Sequence, residues 1–194
     1  MKTFEVIFFL FCVLIVAGCN DKRKNVPVMD IVTDSTETDS TVYGRCGEGT
    51  AMHTLELVTD KGDTVVYTLE GEDTCANVLG GLFVGDKIAV IGEHVDGLNE
   101  DMFAKKVINL TSLLGTWESL DKNFEILEGG AVVSTSGEPR YTEWKILNGQ
   151  LILSPDTFDI YSLGPDSLYL ENGRGIYGYK RLPQKSLGKK KAGK

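Results

Sequence analysis

Histidine is almost missing from this chain, with only His53 and His94 in 194 residues. Side-chain acid–base chemistry near neutral pH most often uses histidine. What remains for it is carboxylates, and pairs among 28 acids cannot be located from sequence. Gly-x-Ser-x-Gly, His-Glu-x-x-His and P-loop motifs are also absent. These gaps lead us to expect a non-enzymatic protein with no catalytic residues, no metal site and no cofactor. Long apolar runs are lacking as well. Val6–Val16 is eleven residues, against the roughly 20 that a spanning helix needs. Proline is sparse, at 5, while glycine reaches 22, a globular composition with many turns. Basic residues are scarce outside the C-terminus. Residues 180–194 hold seven of them and no acid, so the body carries more than the whole chain's net charge of −8. Such an acidic body argues against nucleic acid as a partner.

What is present begins with "MKTFEVIFFLFCVLIVAGC". One lysine, a short apolar core and small residues before Cys19 read as a signal segment over residues 1–19, outside the fold. Val16-Ala17-Gly18 before Cys19 resembles the lipobox of bacterial lipoproteins. That resemblance implies acylation of Cys19, palmitate included, and a membrane anchor made of several acyl chains. An ordinary secretory signal with a chance cysteine is the alternative. Export would leave Cys46 and Cys75 as an even pair in an oxidising compartment, a candidate disulfide. Two buried free thiols are the alternative there.

Residues 20–43 are polar and read as a flexible tether that cannot bury enough surface to fold. Asp34-Ser35-Thr36 and Asp39-Ser40-Thr41 repeat one tripeptide. It resembles the O-glycosylation acceptor of Bacteroidota, which makes Ser35 and Ser40 candidate glycan sites; a plain acidic spacer fits equally. Residues 183–194 read as a basic, disordered tail.

Residues 44–112 suggest a small β domain. Thr54 to Leu69 alternates through a hairpin turned at Asp60–Asp63, with His53 as a half-exposed strand residue. "EDTCANVLGG" permits a short helical turn. Lys87–Ile91 reads as a buried strand, with His94 in the turn after it, and Phe103–Thr111 as the last strand. Gly85-Asp86-Lys87-Ile88-Ala89-Val90-Ile91-Gly92 resembles the middle strand of OB-like barrels. The basic groove and paired aromatics that single-stranded nucleic acid needs are missing; Tyr67 and Phe83 are its most visible rings.

Residues 113–182 carry eight strand-like segments separated by turn chemistry. Asn148-Gly149 is the strongest signal, a type I′ hairpin turn. Eight strands joined only by tight turns form an up-and-down meander that closes as a barrel. "LLGTWES" at its start and "GIYGYKR" at its end resemble the small lipocalin-like domain of Bacteroidota lipoproteins. The resemblance implies that Trp117 and Arg181 close one end of that barrel. Phe124, Ile126, Leu151, Leu153 and Ile176, among others, can fill its interior or line a ligand cup, while Tyr161, Tyr169, Tyr177 and Tyr179 alternate with such residues and are expected to face outward.

The expected chain is thus all-β, an OB-like barrel followed by a lipocalin-like barrel, on a lipid anchor. Asn20-Asp21-Lys22-Arg23-Lys24 does not resemble the acidic surface-export signal of Bacteroidota lipoproteins, so the expected place is the outer membrane, facing the periplasm. The expected function is a protein-contact or sensing accessory of the cell envelope, with another envelope protein as candidate partner. The alternative is binding of a small hydrophobic or glycan ligand in the lipocalin-like barrel.

Overall fold

A computed structural model describes residues 38–70, 76–94 and 102–183. Cys19, Ser35, Cys75, most of the expected tether and the basic tail lie outside the described residues. Thr38 onward forms one compact unit. Almost every element in it is a strand, and no helix among the described residues is long and apolar enough to cross a membrane.

The first barrel uses β1 (Val42–Cys46), β2 (Thr54–Thr59), β3 (Thr64–Thr68), β5 (Lys87–His94) and β6 (Met102–Asn109). The order β3-β2-β1-β5-β6 is closed by a parallel β3–β6 pairing at Tyr67↔Met102 and Thr68↔Phe103. This is the small closed five-stranded barrel expected from the glycine-bounded strand phrase. Leu55, Leu57, Tyr67, Ile88, Val90 and Val107 fill it. Tyr67 is therefore core, whereas Phe83 is exposed.

Four local expectations for this barrel differ from the structure. The fold starts before residue 44, because Val42 and Tyr43 already pair with Val90 and Ala89. The segment expected as a helical turn instead contains β4 (Asn77–Leu79), parallel to β6 through Val78↔Val107. An available strand edge there outweighs a weak local helix preference. His53 is an exposed turn residue before β2, its Nδ1 2.6 Å from Glu70 Oε2. His94 is the last residue of β5, paired with Met102, not part of a turn.

The second barrel is the eight-stranded antiparallel meander: β7 (Gly115–Glu118), β8 (Asn123–Ile126), β9 (Val132–Ser136), β10 (Trp144–Leu147), β11 (Gln150–Leu153), β12 (Asp156–Leu163), β13 (Ser167–Asn172) and β14 (Gly175–Arg181). β14 pairs back to β7 through Arg181↔Trp117 and Lys180↔Glu118. Between β9 and β10 only the bridge Ala131↔Glu143 joins the edges, so the barrel is nearly closed. Asn148 (φ 48°) and Gly149 (φ 76°) both take the left-handed conformation that the I′ turn between β10 and β11 requires.

The interior is packed, not hollow. Phe124, Ile126, Leu151, Leu153, Phe158 and Leu168 are all buried. Ile176 is 56 % exposed, whereas Tyr179 is buried and Tyr177 half-buried against the core. This reverses the expected facing of β14. Cross-strand partners share a face, and Tyr179 and Tyr177 pair with the buried Leu168 and Leu170. Tyr161 and Tyr169 do face outward.

Each barrel has its own core, and the core of the second extends onto the outer face of the first. Ala89 and Ile108 point away from the first barrel's interior, yet both are buried in the same cluster as Trp117 and Leu113. That second covering explains why Lys87–Ile91 reads as a continuous apolar run: β5 is buried on both faces. A short helix, α1 (Leu110–Leu113), joins the barrels. Its N-cap Asn109, fully buried, accepts from Ser112 N at 2.8 Å and donates to Asp86 and to the Gly81 carbonyl.

Candidate functional site

In an up-and-down meander alternate turns fall at the same end of the barrel. One end gathers the turns β8–β9, β10–β11 and β12–β13 with Gly115 and Arg181; the other gathers β7–β8, β9–β10, β11–β12 and β13–β14. The two ends differ in chemistry.

The first end is closed. The Arg181 guanidinium lies 4.1 Å from the centroid of the Trp117 ring, a cation–π contact worth roughly 0.5–2 kcal/mol. Arg181 Nη1 donates to the Leu114 carbonyl at 2.6 Å and Nη2 to the Ser112 carbonyl, at the carboxyl end of α1, where a cation is favoured. Its Nε donates to Pro165 O at 2.6 Å. Trp117 Nε1 donates to Leu113 O at 2.9 Å, so the fully buried indole leaves no polar atom unmet. Burial lowers the Arg181 pKa while Asp166 opposes the shift. Gly115 explains the glycine of "LLGTW". Its φ is +125°, a conformation that demands glycine, and a Cβ there would sit 2.6 Å from Arg181 Nη1, so the guanidinium would have to shift.

The opposite end is open. A cavity of about 390 Å³ lies there, within the span of small-molecule sites, roughly 300–1,000 Å³. Its floor is aromatic. Phe124 stands edge-on to Tyr141 and Tyr179, with centroids 5.3 and 5.0 Å away, and Phe158 edge-on to Tyr177 at 5.9 Å. Its walls are polar. Arg174 Nη2 donates to Asp156 Oδ1 at 2.9 Å. Lys122 Nζ donates to Pro139 O at 2.8 Å and sits 4.0 Å above the Tyr141 ring. Burial is the main cause that lowers the Lys122 pKa, against Asp156 and Glu138. Burial is also the main cause that raises the Tyr179 phenol to about 12 and raises the neighbouring Tyr141 phenol, so both stay protonated at neutral pH. On the rim, Leu120 is fully exposed and Ile176 more than half exposed.

A second concavity of about 480 Å³ runs between the barrels, lined by Tyr43, Leu114, Trp144 and Ile146 among others. Tyr43 OH donates to Ile146 O at 2.8 Å, and Trp144 Nε1 to Leu127 O at 2.7 Å.

The residues singled out from sequence are scattered. Trp117 and Arg181 meet at the closed end. Ser40 is exposed, its hydroxyl 2.9 Å from Asn148 Oδ1 on the β10–β11 turn, so it stands on the fold, not in a tether. Cys46 is buried, with Sγ 3.3 Å from Thr50 Oγ1. No disulfide occurs among the described residues, and Cys75, the other half of the candidate pair, lies outside them. Among the described residues no group of three or more His, Cys, Asp or Glu could hold a metal. The mouth residues Lys122, Tyr141, Asp156 and Arg174 were not singled out from sequence. The signal that could have found them is the parity of the turns: each lies in or beside one of the four turns at the same end.

Comparison with known proteins yields no match, whether family model, curated protein or solved structure.

Proposed function

We propose that this chain is a non-enzymatic lipoprotein of the cell envelope whose eight-stranded barrel binds a small ligand at its mouth. One observation carries the binding part: a cavity of about 390 Å³ at the end of the barrel opposite the Trp117–Arg181 closure. The packed interior below it argues against a hydrophobic ligand swallowed into the barrel, since Leu151, Leu153 and Leu168 occupy that space. The anchoring part rests on Val16-Ala17-Gly18-Cys19, which resembles the lipobox of bacterial lipoproteins. In this reading Cys19 carries the acyl chains and holds the barrels on the outer membrane, facing the periplasm.

Thermal-shift and NMR screening of the chain against lipids, haem and sugars tests the binding. A ligand that shifts the Tyr141 and Tyr177 resonances supports it; failure of every ligand to perturb the mouth overturns it. Cys19→Ala followed by membrane fractionation tests the anchor, and unchanged membrane retention would refute it. The groove between the barrels favours a second reading, in which Trp144 and Tyr43 help form a contact face for another envelope protein. Crosslinking from position 144 that captures a defined partner would support that reading.

A further inference from the structure

Both cations at the mouth already have partners. Arg174 is bonded to Asp156, and the Lys122 ammonium is taken up by the Pro139 carbonyl and the Tyr141 ring. An anionic ligand would have to break one of these contacts to reach a cation. The lining also mixes signs, with Asp121, Glu138 and Asp156 beside Lys122 and Arg174, so a ligand of either charge meets like charges as well as opposite ones. A purely apolar ligand fares no better, because it would cover phenol, carboxylate and guanidinium groups without bonding them, at a desolvation cost.

What the mouth does offer is a combination. Tyr177 presents a half-buried ring held upright by its edge-on contact with Phe158. The phenols of Tyr141 and Tyr179, on residues more than nine-tenths buried, belong to side chains that line the cavity floor. Asp156 supplies acceptors and Arg174 donors in a fixed pair. Leu120 and Ile176 add exposed apolar surface at the rim. A pyranose ring has the complementary pattern, C–H faces that pack on an aromatic ring and hydroxyls around its edge that both donate and accept. Neutral phenols and a matched carboxylate–guanidinium pair can meet those hydroxyls without leaving a charge stranded.

We infer that the mouth of the eight-stranded barrel is a site for an uncharged saccharide of one or two rings, stacked on Tyr177 and hydrogen-bonded by Tyr141, Tyr179, Asp156 and Arg174. This rests on the mouth-binding reading above and names its ligand class.

The test is ¹H–¹⁵N NMR titration of the chain with glucose, galactose, mannose, N-acetylglucosamine and their disaccharides. Sialic acid serves as an anionic comparator and a fatty acid as an apolar one. The expected result is saturable shifts confined to residues 119–122, 138–141, 156–158 and 172–179 with at least one neutral sugar. Tyr177→Ala and Asp156→Asn should each weaken that sugar about tenfold, the loss of a single good contact. Tyr177→Phe, which keeps the ring, and Tyr161→Ala, on the outer wall, should not weaken it. An unshifted Trp117 indole signal in each variant shows that the barrel is intact. Testing the same sugar free and displayed on a surface separates a soluble saccharide from a glycan borne on a larger molecule, and binding in either form supports the inference. Mouth shifts produced only by sialic acid or the fatty acid would overturn the uncharged saccharide while leaving the mouth as a binding site. No mouth shift with any compound would overturn both.

Discussion

Arg181→Lys keeps the charge and removes the fork. In the native chain three guanidinium nitrogens reach three carbonyls, those of Leu114, Ser112 and Pro165, while the plane covers Trp117. An ammonium can serve one of these carbonyls and cannot stack as a plane. The Pro165 contact is exposed, so water replaces it at little cost. The contacts to Leu114 and Ser112 are partly buried. Losing one of them costs about 1.5–3 kcal/mol for a charge-assisted bond, and the weaker stacking adds a fraction of the roughly 0.5–2 kcal/mol of the cation–π contact. The total is about 2–4 kcal/mol, or a fall in Tm of roughly 5–15 °C for a body of this size. Urea denaturation followed by tryptophan fluorescence measures it. Lys180→Ala is the matched comparison, because Lys180 is exposed on the opposite face of the same strand, where substitutions cost within about 0.5 kcal/mol. If Arg181→Lys unfolds at the same urea concentration as Lys180→Ala, the closed end is not held by the guanidinium and the reasoning fails.

Gly115→Ala should destabilise by about 1–3 kcal/mol, since φ +125° is strained for any side chain and the new methyl meets Arg181; calorimetry reads this, and a neutral result would mean that the turn relaxes. Leu168→Ala, at a fully buried position in the barrel core, should cost about 2–5 kcal/mol in chemical denaturation. Alkaline titration gives a signed prediction: the Tyr179 pKa is raised to about 12 in the folded chain, and Tyr141 is raised too. Their contribution to stability is complete below the unfolded value near 10 and is lost as pH rises through 10 towards 12, so the thermal midpoint should fall over that window, and less so in Tyr179→Phe. Ala89→Glu should strongly destabilise the chain in chemical denaturation, because Ala89 is buried on the outer face of the first barrel within the core cluster of the second and a buried unpaired carboxylate is costly; a variant as stable as the native chain would contradict that packing.

The strand positions of the second barrel were legible because its turns are written in strong local chemistry. Asn148-Gly149, Gly129-Gly130 and Gly164-Pro165-Asp166 each interrupt an apolar run, and the observed strands fall between them. The facing of β14 was not legible. "GIYGYKR" alternates an aliphatic residue and lysine with tyrosines, and composition alone favours putting Ile176 inside. Only the register with β13, Leu168↔Tyr179 and Leu170↔Tyr177, turns the tyrosines in, and register is a long-range fact set by strands and closure, not by the segment itself. The same holds for β1. Its residues look like the end of a polar tether until β5 supplies a partner for Val42 and Tyr43.

The mouth was hidden for a related reason. Trp117 stands in a motif, so a sequence reading finds it, yet the structure commits it to closure, with its indole nitrogen bonded and its face covered. The polar groups that line the mouth come singly from separate turns: Lys122, Tyr141, Asp156 and Arg174 are 15 to 19 residues apart along the chain. Each looks like ordinary turn or rim composition by itself. A meander converts that spacing into proximity, because every second turn returns to the same end. The packed interior then makes the proximity consequential. With Phe124 and Phe158 filling the space beneath them, Tyr141 and Tyr177 cannot sink into the barrel, and their polar edges stay at the level where a ligand would arrive. The packed barrel therefore offers a shallow polar mouth in place of a deep apolar cup, so the chemistry of a ligand here is set at the rim and not in the core.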